Sequence, residues 1–189
     1  MTSFSDFLMQ LNQDYQIDKI GTVYQCPERK ITRKIKDPHT LILIVGVEGA
    51  GKTTFCKNNF SGFNVINFDS FIADNIKSVK DEEFDSLWNK FLNHAKECLQ
   101  KGTTVIDANS VMMDFRFKLL YLLDGCYSKA VLVVLNPTKT QLISRIKSQL
   151  SLRIRPGMWE DVGYAYDSLQ EQLQNNMISV GVSEVYIIK

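Results

Sequence analysis

An α/β fold, built on a mostly parallel five-stranded sheet with helices on both faces, is what the order of patterns along this 189-residue chain predicts. Short aliphatic runs such as Leu41-Ile42-Leu43-Ile44-Val45, and the wholly apolar stretch from Ala130 to Leu135, read as strands covered on both faces. Between them lie segments with helical spacing, and strands that alternate with helices pair in parallel through right-handed crossovers. The third observation is the glycine-rich octet Gly46-Val47-Glu48-Gly49-Ala50-Gly51-Lys52-Thr53, set between the first aliphatic run and a helical segment.

That octet has the G-x-x-x-x-G-K-[ST] pattern of a phosphate loop. Gly46, Gly49 and Gly51 let the backbone turn tightly and aim successive N–H groups inward. A polyphosphate is then held by main-chain donors at the positive end of the next helix. Lys52 can reach the terminal phosphates, and the Thr53 hydroxyl can take one position on a magnesium ion. ATP or GTP with Mg2+ is therefore the expected ligand, gripped by Gly46, Val47, Glu48, Gly49, Ala50, Gly51, Lys52, Thr53 and the adjoining Thr54. With this loop the expected fold is that of the P-loop NTPases, and Arg153 and Arg155 further along add the expectation of an arginine-bearing lid.

Composition narrows the classes. With 44% hydrophobic and 23% charged residues, the chain can bury one good core. A net charge of +1 provides no overall polyanion-seeking field, so any nucleic-acid contact must come from a local patch. Cys26, Cys56, Cys98 and Cys126 are widely spaced, and His39 and His94 are the only histidines. Neither a zinc site nor a disulfide framework is suggested, and a histidine-centred triad is disfavoured. No stretch has the length of a membrane span and no targeting signal is evident, so a cytoplasmic protein is expected. Catalysis is left to Lys, Arg, Asp and the metal.

In chain order, residues 1–40 read as an N-terminal extension packed on a phosphate-loop domain of residues 41–189. Phe4, Phe7, Leu8 and Leu11 have the spacing of a short amphipathic helix, which Ser3 or Ser5 can cap. Thr22-Val23-Tyr24 suits a strand. Arg29, Lys30, Arg33, Lys34 and Lys36 then make a basic stretch that either blunts a sheet edge or tracks a phosphate backbone. After the loop come a helix over residues 54–60, a Ser61-Gly62 turn, and a strand over residues 63–68 that ends in Asp69-Ser70. Phe84, Leu87, Trp88, Phe91, Leu92, Ala95 and Leu99 then recur at helical spacing, with acidic residues before them and Lys101-Gly102 after, as the helix dipole and C-cap favour.

Thr103-Thr104-Val105-Ile106 is the third strand, ending in Asp107-Ala108-Asn109, and a helix over residues 112–123 closes at Gly125. The fourth strand, residues 130–135, leads through Asn136-Pro137-Thr138 into a helix carrying Arg145 and Lys147. Arg153 and Arg155 follow, then Pro156-Gly157, a last helix over residues 159–173 and a closing strand over residues 185–188. In parallel α/β sheets, ligands bind at the carboxyl ends of the strands. That rule selects the phosphate loop, Asp69 and Asp107. Asp69 is placed either as a general base for a substrate hydroxyl or as a helix N-cap. Asp107 either holds magnesium through water or binds substrate. Arg153 and Arg155 suit a mobile lid that neutralises developing charge.

The succession of phosphate loop, Asn67-Phe68-Asp69, Val105-Ile106-Asp107-Ala108-Asn109 with Arg116 beyond it, and an arginine-bearing segment before Met158 resembles the P-loop kinase family of phage-type polynucleotide 5'-kinases. That family also includes the zeta-toxin and chloramphenicol phosphotransferase kinases. The resemblance implies a nucleotide cradle from Gly46 to Thr53, a proton-accepting Asp69, substrate contacts from Asp107, Asn109 and Arg116, and a lid arginine at Arg153 or Arg155. It also implies an ATP- and magnesium-dependent kinase acting on a hydroxyl of a nucleic acid or nucleotide. A modified-base DNA kinase, a small-molecule kinase for a sugar nucleotide or antibiotic, and a nucleotide-binding switch module are the alternatives. One position departs from the pattern: polynucleotide kinases place a phosphate-holding arginine three residues after the base, where this chain has Ile72. Lys77, Lys80 or the basic stretch would have to replace it.

Overall fold

The computed structural model describes residues 21–26, 39–75, 81–108, 110–149 and 158–189. Strands β1 (Thr22–Cys26), β2 (Thr40–Val45), β3 (Asn64–Asn67), β4 (Thr104–Asp107), β5 (Lys129–Leu135) and β6 (Glu184–Ile188) form one sheet. Helices α1 (Lys52–Asn59), α2 (Phe68–Asn75), α3 (Asp81–Lys101), α4 (Met113–Leu122), α5 (Lys139–Gln149) and α6 (Met158–Gln174) lie between them in the chain. The strand order is β1-β6-β5-β2-β4-β3, and every pairing is parallel. The expected helix over residues 1–19, the basic stretch, Lys77, Lys80, Asn109, Arg153 and Arg155 lie outside the described residues. Among the described residues, no helix is long and apolar enough to cross a membrane.

The core follows from the aliphatic runs. Leu41, Ile42, Leu43, Ile44 and Val45 are fully buried, and so are Val105, Ile106, Val131, Val133 and Val134. Residues that alternate between the two faces of a strand can all be buried only when both faces are covered, which is why β2 and β5 carry long apolar runs. The sheet has six strands where the sequence predicted five. The additional strand is β1, which pairs with β6 at the sheet's edge and leaves Val23 37% and Tyr24 38% exposed. An edge strand needs no unbroken apolar run, so its pattern is weak in the sequence, although Tyr24 stacks on Tyr186 with ring centroids 5.2 Å apart.

The second difference lies beside the phosphate loop. β3 ends at Asn67 and α2 begins at Phe68, so Asp69 sits in the first helical turn and not at a strand end. Phe68 fixes this junction, packing its ring against Phe91 at 4.8 Å and against Trp88 and Phe115 at 5.8 Å each. These edge-to-face pairs tie α2 to α3 and α4, each contributing about 0.5–1.5 kcal/mol beyond area burial. The Leu87, Trp88, Phe91, Leu92, Ala95 and Leu99 stripe of α3 is buried, as its spacing predicted.

Candidate functional site

The chain crosses from β2 to β3 and β4 on one side of the sheet and to β5 on the other, so the strand order reverses at β2. A crevice opens at such a reversal, at the carboxyl ends of the strands. The phosphate loop lies there. Gly49 and Gly51 take left-handed φ values of 78° and 91°, a conformation costly for any residue with a Cβ. Gly49 is also held by space, since a Cβ there would lie 2.6 Å from Ile146 Cγ1 on α5. The turn is closed by the Ala50 N–H donating to the Val47 carbonyl at 3.0 Å, and α1 starts at Lys52. The first N–H groups of a helix lack intrahelical partners, the usual setting for an anion, and the first residues of α1, Lys52, Thr53 and Thr54, line the crevice.

Lys52 folds over the loop, its Nζ donating to the carbonyl oxygens of Gly46 at 2.8 Å and Val47 at 3.3 Å. Burial lowers its pKa, while Asp107, Asp69 and Glu48 act in the opposite direction by favouring the ammonium form. Cys56, one turn further along α1, is no nucleophile: burial, followed by the charge of Asp107, pushes its thiol up to about 12.

The Thr53 hydroxyl donates to Asp107 Oδ2 at 2.8 Å, and Asn67 Nδ2 donates to the same oxygen at 2.8 Å. The three residues meet because β4 lies between β2 and β3, with Asp107 level with Ile44 on one side and Asn67 on the other. The Thr53 hydroxyl and the Asp107 carboxylate make an all-oxygen pair beside the phosphate cradle. Such donors fit Mg2+, which is usually held through one or two carboxylates plus substrate phosphates and keeps several waters. Asp69 lines the same cleft, of about 460 Å3, as do Lys52, Thr53, Asn67 and Asp107. A second hollow of about 270 Å3 shares Gly49, Gly51 and Thr54 with the first and continues to Asn136, Pro137 and Arg145. A ligand lying over the loop would therefore reach both.

Of the residues singled out in the sequence, Glu48, Gly49, Gly51, Lys52, Thr53, Thr54, Asp69 and Asp107 line one cleft. Gly46, Val47 and Ala50 are buried beneath it as the loop's frame. Arg116 is a correction. It is 2% exposed, and its guanidinium donates to the carbonyls of Ser110 at 2.7 Å and Val111 at 2.8 Å and to Gln172 Oε1 at 2.7 Å. Desolvation lowers its pKa to about 10. It pins the β4–α4 connection to α6 and is not among the residues that line the cleft around Lys52.

Two residues were not singled out. Asn67 stands at a strand end, the same signal that selected Asp107. Arg145 donates to the Ala50 carbonyl at 3.1 Å from α5, a contact that only the packing of α5 on the loop reveals.

A sequence profile for an AAA domain family matches residues 41–151, more than half of the chain. The chain belongs to the AAA domain family. Among curated proteins, none matches the sequence. In fold, this AAA domain protein is similar to a chain in the structure of the Pnkp1/Rnl/Hen1 RNA repair complex, with a TM-score of 0.62 and 15% identity over 76% of the present chain and 48% of that one. It thus spans about half the length of that relative. Shikimate kinase from Acinetobacter baumannii, in complex with shikimate, aligns with a TM-score of 0.51 and 15% identity over 84% of this chain and 86% of its own. The AAA domain protein therefore has a P-loop kinase-like fold.

Proposed function

We propose that this AAA domain protein is an ATP- or GTP-dependent kinase that transfers the terminal phosphate to an alcohol, with a hydroxyl of a nucleic acid or nucleotide as the first acceptor class. One observation carries the reading: Asp69 lines the same cleft as Lys52 and as the hydrogen-bonded pair Thr53 and Asp107. Phosphoryl transfer needs mainly positioning and charge stabilisation, supplied here by groups that sit within one cleft. The backbone amides at the start of α1 would grip the β- and γ-phosphates. Lys52 would exchange its two carbonyl partners for phosphate oxygens. Thr53 and Asp107 would hold the magnesium ion, which when bound offsets negative charge on the phosphates.

Asp69 would accept the proton of the acceptor hydroxyl as its oxygen forms a bond to the γ-phosphorus and the bond to the nucleoside diphosphate breaks. The nucleoside would occupy the hollow beside Asn136, Pro137 and Arg145, and Arg153 or Arg155 would serve as lid arginine. With Asp107 on the metal, the acceptor contact would fall to Asn109. Ile72 provides no cation, so a phosphate on a polynucleotide acceptor would be held by another residue.

The test is transfer from labelled ATP to a panel of 5'-hydroxyl oligonucleotides, hydroxymethylated-base DNA, nucleotides and small alcohols. Asp69→Asn should lower kcat by roughly 100-fold or more, the scale of a lost general base, while nucleotide binding stays at the wild-type level. Tight nucleotide binding with no acceptor labelled would overturn the kinase reading in favour of a switch module.

A further inference from the structure

Asn67 has both ends of its amide committed. Its Nδ2 donates to Asp107 Oδ2 at 2.8 Å, and its Oδ1 accepts the backbone N–H of Ser70 at 2.8 Å. The orientation of the amide follows from its neighbours, because a carboxylate only accepts and a backbone N–H only donates. Asn67 is therefore the N-cap of α2, the helix that carries Asp69 two residues further on, and it simultaneously grips the carboxylate that Thr53 engages from α1. Sheet register makes this possible: Asn67 and Asp107 are paired positions on the last rung of β3 and β4.

We infer that Asn67 is a positioning residue that sets the distance and angle between the Thr53–Asp107 pair and Asp69. The inference rests on the kinase reading for the role of Asp69, though the geometric coupling stands apart from it. Each half of the amide has a separate task. The oxygen starts α2 in the direction that puts Asp69 into the cleft, and the nitrogen holds the Asp107 carboxylate in one rotamer. No other side chain of this length offers a donor and an acceptor about 2 Å apart on one rigid plane except the amide of its own kind. An aspartate keeps the cap but replaces the donor with a second acceptor facing Asp107, and an alanine removes both.

Two variants separate positioning from plain capping. Asn67→Asp retains a capping oxygen but sets a second carboxylate against Asp107, so the protein without ligands should melt below the wild type. The Mg2+ concentration that half-saturates the enhancement of ATP-analogue binding, read by calorimetry, should shift several-fold, because Asp107 has lost its donor and faces a second carboxylate. Where an acceptor is in hand, kcat should fall about 10- to 100-fold with KM for ATP changed far less, the scale reported for partners that orient a site's ligands. Asn67→Ala, which loses cap and donor without adding a charge, should show the same Mg2+ and kcat shifts and also melt below the wild type.

Wild-type Mg2+ dependence in Asn67→Asp would overturn the inference and leave Asn67 as a cap alone. Failure to find any phosphate acceptor would count against the kinase reading only, since the calorimetric readout needs no acceptor.

Discussion

Replacing Gly49 with alanine tests whether the phosphate loop is shaped by its packing against α5 as well as by its own backbone. Two costs add at this position. The left-handed φ of 78° costs a residue with a Cβ about 1–2 kcal/mol. The new methyl would stand 2.6 Å from Ile146 Cγ1, a mid-side-chain atom of a residue only 4% exposed, so neither partner can simply swing into solvent. Overpacking of that kind costs about 1–3 kcal/mol. The sum, roughly 2–5 kcal/mol, corresponds to a melting temperature lower by roughly 4–20 °C for a chain of this size. Chemical and thermal denaturation of Gly49→Ala, Ile146→Ala and the double variant would measure it.

Ile146→Ala alone should cost about 2–5 kcal/mol through the cavity it leaves. In the double variant the clash disappears but the φ strain stays, so the two losses should sum to about 1–3 kcal/mol more than the double variant shows. A Gly49→Ala protein with wild-type stability, or strictly additive losses, would refute this account of the loop.

Other expectations follow from individual contacts. Arg116→Met leaves the Ser110 carbonyl and Gln172 Oε1 without a donor, while Val111 keeps the one from Gln172 Nε2, so it should lower stability by roughly 2–5 kcal/mol while leaving nucleotide affinity intact. Loss of acceptor binding with unchanged stability would instead support a substrate contact. Cys56, its thiol pushed up to about 12, should resist iodoacetamide at pH 8 in the folded protein and react only as the chain unfolds, read by peptide mass spectrometry. Alkylation under native conditions would contradict the burial assigned to it. Asp69→Asn and the Asn67 pair complete the set, separating loss of the base from loss of its alignment.

Much of the site was legible because its signals are local. The octet from Gly46 to Thr53 encodes its own turn, the aliphatic runs announce strands covered on both faces, and the carboxyl ends of those strands picked out Asp107. Asp69 was found by the same reasoning with its element misjudged: the apolar alternation continued through Phe68, which the structure uses as the first residue of α2 and packs against Phe91 and Trp88. Phe68 is apolar in either element, so its side chain alone could not place the boundary.

By itself, then, the sequence determined which strands are buried, which helix start follows the glycine-rich loop, and which carboxylates stand near it, since hydrophobic period and backbone freedom are properties of neighbours along the chain. Tertiary structure decided the rest. β1 became a strand only by pairing with β6, Arg116 became an internal strut only where α6 brings Gln172 to it, and Arg145 meets the loop only through the packing of α5. Asn67 grips Asp107 because the β3–β4 register sets them side by side, 40 residues apart in the chain. The physical reason is the same each time: a polar group's partner is fixed by which elements lie together and in what register, and that choice is made by the folded core.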